Sequence, residues 1–307
     1  MQLLLTPFRM AALYGRWLLV AGLVAAIAFP GLAGIVREQL PAAVALLLFF
    51  SALRVGPRQA VGAATDIGQS LYLVMILQVV CPVVFAVFLI ATGWSGPIAL
   101  GLALMLTAAP IAGSPSLTFL LGRDAASALR QLIAGTALLP LTSIPVFLLL
   151  PDLVSGGGVL GAVMRLLLLI GVATALAFLI RGFVIRDPGP DGLSAIEGMA
   201  AVMMALVVVG LMAAIRPAIT ENPAGLLLNL AVVFAANFGL QIVCYQLLKR
   251  RMPEQSAGIA VSAGNRNIAL FLAVLPANVT DSLLLFIGCY QIPMYLTPIL
   301  LRRFYER

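Results

Sequence analysis

The residues with the greatest capacity for chemistry lie in VSAGNRNIAL, 261–270, where a guanidinium and two carboxamides interrupt an apolar stretch. A charge at the centre of a membrane-spanning helix costs about 2.5–3.5 kcal/mol, so it usually faces a polar cavity or a partner. Gly264 favours a break in the helix at this point. Because the fork of arginine N–H donors suits a carboxylate, we predict anion binding by Arg266, Asn265 and Asn267. The alternative is that Arg266 turns away and braces helix carbonyls as a structural strut.

A second interruption lies in TAAPIAGSPSLTF, 107–119, where prolines surround Gly113. Ser114 followed by Pro115 has the N-cap and N1 pattern of a helix that begins again after a break. Interruptions at matching places in two halves of a chain point to a midplane binding site in a secondary transporter. We therefore expect Ser114 and Ser116 to belong to the same site as the later segment.

Catalytic chemistry finds little support in the residue types. The chain has no histidine, which is the commonest metal ligand. Cys81, Cys244 and Cys289 lie in apolar stretches without the spacing of a metal site or a disulfide framework. Asp187 and Asp191 imitate a magnesium-binding D-x-x-x-D pair, but Pro-Gly-Pro between them forbids the helix that would align them. We therefore predict no enzyme, no metal and no cofactor.

The elements that position these residues are predicted to be membrane helices. The 307-residue chain is 63% hydrophobic and 9% charged, too apolar for a soluble globule. A spanning helix takes roughly 20 residues, and the polar punctuation predicts ten such spans without a soluble domain. Glu197 is interpreted as a carboxylate near the start of the seventh span. The predicted spans are 13–33, 38–54, 67–93, 97–121, 125–150, 158–182, 194–215, 224–249, 255–276 and 281–302.

The first span also has a second interpretation. Its Ala26-Ile27-Ala28 ending fits a signal-peptide cleavage pattern. We keep this run as a span, because its loss would leave an odd number of crossings and conflict with the distribution of loop charges.

The basic residues indicate orientation. Of the 18 lysines and arginines, the loops of one side hold only Arg37 and Arg216. By the positive-inside rule both termini are cytoplasmic, which requires an even number of spans, and the net charge of +7 implies no nucleic-acid partner. An odd-numbered unit duplicated in tandem enters the membrane inverted, so we expect five-helix repeats at 1–157 and 158–307. The opposite side collects most of the rest, including Arg9, Arg16, Arg54, Arg58, Arg123, Arg130, Arg181, Arg186, Arg302 and Arg303.

Three motifs resemble a known family. ILQVVCP at 76–82, PIAGSPSLTFLLGRD at 110–124 and SAGNRN at 262–267 are similar to signature regions of the bile acid:sodium symporter family. The ten-span plan is similar over nearly the whole chain. The resemblance implies a core domain of spans 3–5 and 8–10, a panel domain of spans 1, 2, 6 and 7, and crossing broken spans 4 and 9. It also implies that organic anions bind between the two domains.

The resemblance further relates individual residues to the family's two sodium sites. Gln78 corresponds to a glutamine of the third span, Ser114 to a serine at the break of the fourth, and Asn267 to an asparagine of the ninth. Most of the other oxygen ligands are replaced, which implies the fold without its sodium coupling. The replaced positions are Pro115, Ala128, Leu132, Ser262 and Arg266.

The sequence therefore predicts a secondary transporter or facilitator of small organic anions that works by alternating access in a bacterial inner membrane. The alternatives are a sodium-coupled symporter, a membrane-embedded enzyme and a channel. An enzyme lacks an acid pair or a nucleophile with its base, and a channel would need a continuous polar stripe. The predicted substrate-binding residues are Gln78, Ser114, Ser116, Ser262, Asn265, Arg266 and Asn267.

Overall fold

The protein is helical throughout the part of the chain that the computed structural model describes, residues 2–63, 67–154 and 158–306. No β-strand occurs within these ranges, and the β-structure there is an isolated bridge. The helices are α1 Gln2–Leu13, α2 Gly15–Ala28, α3 Pro30–Glu38, α4 Leu40–Ala63, α5 Ile67–Met75, α6 Cys81–Thr92, α7 Pro97–Thr107, α8 Ser114–Leu120, α9 Ala126–Thr142, α10 Ile144–Leu149, α11 Gly158–Leu179, α12 Pro190–Leu211, α13 Ile215–Glu221, α14 Pro223–Leu248, α15 Pro253–Gly264, α16 Ala269–Leu272, α17 Ala277–Leu300 and α18 Arg302–Glu306.

Among the described residues, 7 stretches are long and apolar enough to cross a bilayer, which confirms the prediction of an all-α membrane protein. They are Leu40–Gly62, Gly68–Thr92, Ala126–Leu149, Gly158–Val184, Pro190–Glu221, Pro223–Leu248 and Ala277–Leu300. The other predicted spans, 13–33, 97–121 and 255–276, are each divided between two shorter helices. Helix length alone therefore does not establish ten crossings.

The outer surface of α11 illustrates how the chain meets lipid. Leu160, Leu167, Leu168 and Leu176 are exposed along it. A soluble protein rarely exposes contiguous apolar surface on this scale, whereas a bilayer solvates it. The interior holds equally apolar but tightly packed side chains, of which Phe147, Phe271, Phe286 and Tyr290 are among the largest fully buried.

The helices pack in two groups. One group is formed by α4, α11 and α12, with α1, α2 and α3 lying along α12. In the other, α14 packs against α15 and α17, and α9 against α5, α8 and α15. The expected boundary between the five-helix halves, after residue 157, directly follows 155–157, which lie outside the described residues. The two groups therefore cut across the order of the chain, since each draws helices from both halves.

Candidate functional site

Two helix breaks lie side by side at the centre of the second group. Helix α7 ends at Thr107 and α8 begins at Ser114, while α15 ends at Gly264 and α16 begins at Ala269. The intervening backbones run antiparallel: the N–H of Ile111 donates to the carbonyl of Asn265 (2.9 Å), and the N–H of Asn267 to that of Ala109 (2.7 Å). Pro110 and Arg266 form the bridge between them. The breaks thus satisfy backbone groups that interrupted helices would otherwise leave unpaired in an apolar interior.

The Arg266 side chain is buried within this junction, with 2% of its surface exposed. Its Nε donates to the carbonyl of Ala263 (2.7 Å), one terminal nitrogen to that of Ala108 (2.9 Å) and the other to that of Leu77 (3.4 Å). Ala108 and Ala263 lie at the carboxyl ends of α7 and α15, where helix dipoles concentrate negative charge. A fixed cation therefore occupies the point where two helix ends and the third-span backbone converge. This geometry matches the alternative in which Arg266 braces helix carbonyls as a structural strut.

A network of buried amides supports the later break from α14 and α17. Asn237 Nδ2 donates to the Gly264 carbonyl (2.6 Å), and Gln241 Nε2 donates to Asn237 Oδ1 (2.7 Å). Gln241 Nε2 also donates to Thr297 Oγ1 (3.1 Å), and Thr297 Oγ1 lies 3.4 Å from Asn265 Oδ1. The Asn265 side chain therefore takes part in the hydrogen bonds at the end of α15. Its Nδ2 also donates to a carbonyl within that helix.

The network continues to the end of the described chain through Tyr305. Its hydroxyl donates to Gln241 Oε1 (3.2 Å), and burial raises the pKa of that hydroxyl, which keeps it a donor. Arg123 donates to the Tyr305 carbonyl. The loop after α8 is thereby tied to the helix that carries the amides.

Other predicted site residues lie near the junction, some with hydrogen bonds and some without. The Ser114 and Ser262 hydroxyls are buried, and neither has a hydrogen-bond partner among the described residues. The predicted N-cap at Ser114 is wrong, because α8 begins at this residue and its side chain makes no capping bond. Gln78 Nε2 donates to the carbonyl of Gly135 (3.2 Å), and Asn267 joins the junction through its backbone.

A cavity of about 830 Å³ lies between the two helix groups, beside the break that precedes α8. Of the seven predicted site residues, Ser116 alone lines it. Most of its lining residues are apolar, and they come mainly from α4, α8, α9, α12 and α17 and from the break before α8. The polar lining residues are Ser51, Arg54, Gln59, Ser116, Glu197, Gln291, Tyr295 and Arg302.

The charged groups of this cavity are joined in pairs. Arg54 Nε lies 2.9 Å from Glu197 Oε1, and Arg54 Nη2 lies 3.3 Å from Ser116 Oγ. Arg302 pairs with Glu306 at 2.8 Å. Among the described residues that line the cavity there are two guanidinium groups and one carboxylate, and the carboxylate partner of Arg302 lies outside the lining.

Sequence reasoning missed Arg54 and assigned Glu197 a different role. The predicted span 38–54 ends at Arg54, yet α4 continues past it to Ala63. Glu197 was expected near a helix start, but α12 begins at Pro190, so the carboxylate lies two turns inside the helix. The available signal was Gly56-Pro57, which marks a bend directly after Arg54.

No protein-family model matches this chain, and no curated protein matches it. The resemblance of the three motifs therefore stays a prediction.

Proposed function

We propose that this protein is a secondary transporter or facilitator of small organic anions, and that the anion occupies the cavity beside the α8 break. The observation that carries the proposal is the cavity of about 830 Å³, with two arginines and one glutamate in its lining. Sites of this kind combine a mostly apolar wall with a few polar groups that orient the ligand. A volume on this scale suits a small carboxylate with an apolar body.

The proposed architecture has ten crossings in two inverted repeats of five. It counts the seven long helices and adds three divided spans, α2 with α3, α7 with α8, and α15 with α16. The packing supports a panel of α1–α4, α11 and α12 and a core of α5–α10 and α14–α17. Rocking of one group against the other would open the cavity alternately to the two sides.

Transport in this proposal does not require sodium. A hard cation needs about six oxygen ligands and gains most from a carboxylate. Here Arg266 donates to the carbonyls of Leu77, Ala108 and Ala263, so the convergent oxygens already have a cationic partner. A guanidinium remains charged at accessible pH and would repel a second cation nearby. Facilitated diffusion or anion exchange follows as the mode of transport.

The proposed location is a bacterial inner membrane with both termini in the cytoplasm. This orientation rests on the arginines that gather at one set of helix ends, among them Arg54 and Arg302 at the cavity. The cavity then faces the cytoplasm in this conformation. The partners are the bilayer and the transported anion.

A sodium-coupled symporter is the second candidate. The observation that favours it is the pair of buried hydroxyls of Ser114 and Ser262, which have no partner among the described residues. Such oxygens are able to ligate a cation. The choice between the two candidates is experimental.

The test is uptake of radiolabelled monocarboxylates from acetate to octanoate into liposomes, with sodium or with choline outside. We expect saturable uptake at the same rate in both media. Met204→Trp, which fills the cavity from α12, should abolish uptake, whereas Leu206→Trp on the exposed face of that helix should not. Uptake that collapses in choline would establish the symporter, and absence of saturable uptake would overturn the transport proposal.

A further inference from the structure

Arg54 is held at the cavity wall by the bend of α4. Gly56 has φ 68° and ψ 164°, a conformation that favours glycine, and Pro57 follows it. A Cβ at Gly56 would lie 2.9 Å from Nε of Arg181, so a side chain there would also displace the end of that arginine. The bend fixes the last straight turn of the helix, which carries Arg54, against the cavity.

The Arg54 guanidinium meets groups from both sides of the cavity. Glu197 on α12 belongs to the same helix group, whereas Ser116 on α8 belongs to the other. The Arg54 and Glu197 side chains keep 35% and 44% of their surface exposed, and both line the cavity. A guanidinium has five N–H donors, of which these two contacts use two.

This ion pair is suited to exchange. A partly exposed pair contributes little to stability, so its loss is readily offset by another carboxylate at Arg54. A carboxylate in the cavity is able to accept two parallel N–H bonds from the planar fork. Arg302 is less suited, because its side chain is 66% exposed and pairs with Glu306 of its own helix.

We infer that Arg54 is the residue that binds the carboxylate of the substrate, and that Glu197 is an internal competitor for Arg54. Ser116, already within reach of the guanidinium, donates its hydroxyl to the bound carboxylate. The inference rests on the proposed function and adds to it a preference among carboxylate substrates. Glu197 repels a second negative charge, so the site prefers monocarboxylates to dicarboxylates.

The two members of the pair are expected to change affinity in opposite directions. Arg54→Gln removes the positive partner and should weaken binding at least tenfold. Glu197→Gln removes the competitor and should tighten binding severalfold, which a merely structural ion pair would not do. The matched control is Arg303→Gln, which removes an exposed positive charge from a residue that does not line the cavity.

The experiment is isothermal titration of the full-length protein in detergent with octanoate and with octanedioate. We expect octanoate to bind at least tenfold tighter than octanedioate, and Glu197→Gln to narrow that ratio. Unchanged octanoate affinity in Arg54→Gln, or unchanged or weaker octanoate binding in Glu197→Gln, would overturn the inference. If wild type binds neither octanoate nor any shorter monocarboxylate, the proposed function itself fails. If Arg54→Gln does not fold, the sign of the Glu197→Gln effect still decides.

Discussion

Arg266 has five N–H donors and no acceptor, so carbonyl oxygens and a carboxylate are both suitable partners. The sequence identified the residue as a misfit but left its direction open. Two of its three carbonyl partners lie 189 and 158 residues away at Leu77 and Ala108, a separation that no local pattern reveals. In the fold the guanidinium faces carbonyls, because the carboxyl-terminal ends of α7 and α15 converge on it.

At Arg266 we predict a large loss of stability when methionine replaces arginine. The carbonyls of Leu77, Ala108 and Ala263 would lose their side-chain donor, and each buried acceptor left unsatisfied costs about 1–3 kcal/mol. The apparent melting temperature in detergent should therefore fall. Arg165→Met is the matched control, because Arg165 is exposed and donates to one carbonyl, that of Val274.

The opposite result would restore the direct role for Arg266. If Arg266→Met melts like wild type while octanoate affinity falls, the guanidinium binds the anion and the strut interpretation is wrong.

At the scale of the helices, proline and glycine chemistry was sufficient to locate both interruptions. The matching positions of the two breaks in the two halves predicted one shared site, but not the antiparallel backbone hydrogen bonds that join them. The amides of α14 were also overlooked, although Asn229, Asn237 and Gln241 recur at helical spacing in an apolar helix. Such a polar stripe inside a membrane helix indicates contact with another polar element.

Gly264 lies at the predicted helix break, but the sequence revealed only part of the reason for a glycine there. The sequence suggested that this glycine loosens the helix, and α15 does end there. In addition, a Cβ at this position would overlap the carbonyl oxygen of Asn237 and Cγ of Gln241. The absence of a side chain therefore lets α14 approach closely enough for its amides to reach the break.

We predict that Gly264→Ala separates α14 from the break and lowers stability by about 1–3 kcal/mol, the usual range for overpacking. The loss should appear as a lower apparent melting temperature together with reduced transport. Gly239→Ala on α14 is the control, because nothing lies within 4 Å of a Cβ there. Equal melting temperatures for both variants would contradict the proposed role of Gly264.

At the scale of the whole molecule, composition predicted an all-helical membrane protein, because 63% hydrophobic residues allow little else. The cavity was not predictable from composition, since its wall combines α4 and α12 with α8, α9 and α17. Outside that cavity the two groups are joined again. Arg37 on α3 pairs with Asp281 on α17 at 2.6 Å, and Arg165 on α11 donates to the Val274 carbonyl (3.1 Å).

If access alternates, the Arg37–Asp281 pair must part when the opposite side opens. Both side chains of the pair are partly exposed, at 41% and 54%, and such ion pairs contribute about 0–1 kcal/mol to stability. Arg37→Gln should therefore shift the population toward the alternate state by up to about fivefold.

Thiol labelling at Leu129→Cys on the cavity wall, with the three native cysteines replaced by alanine, should slow correspondingly. The charge-swapped protein with Arg37→Asp and Asp281→Arg should regain the labelling rate seen with Arg37 intact. The control is Arg216→Gln, which should leave the labelling rate unchanged. Labelling that is insensitive to Arg37→Gln, or that the swap fails to restore, would mean that this pair does not hold the two groups together.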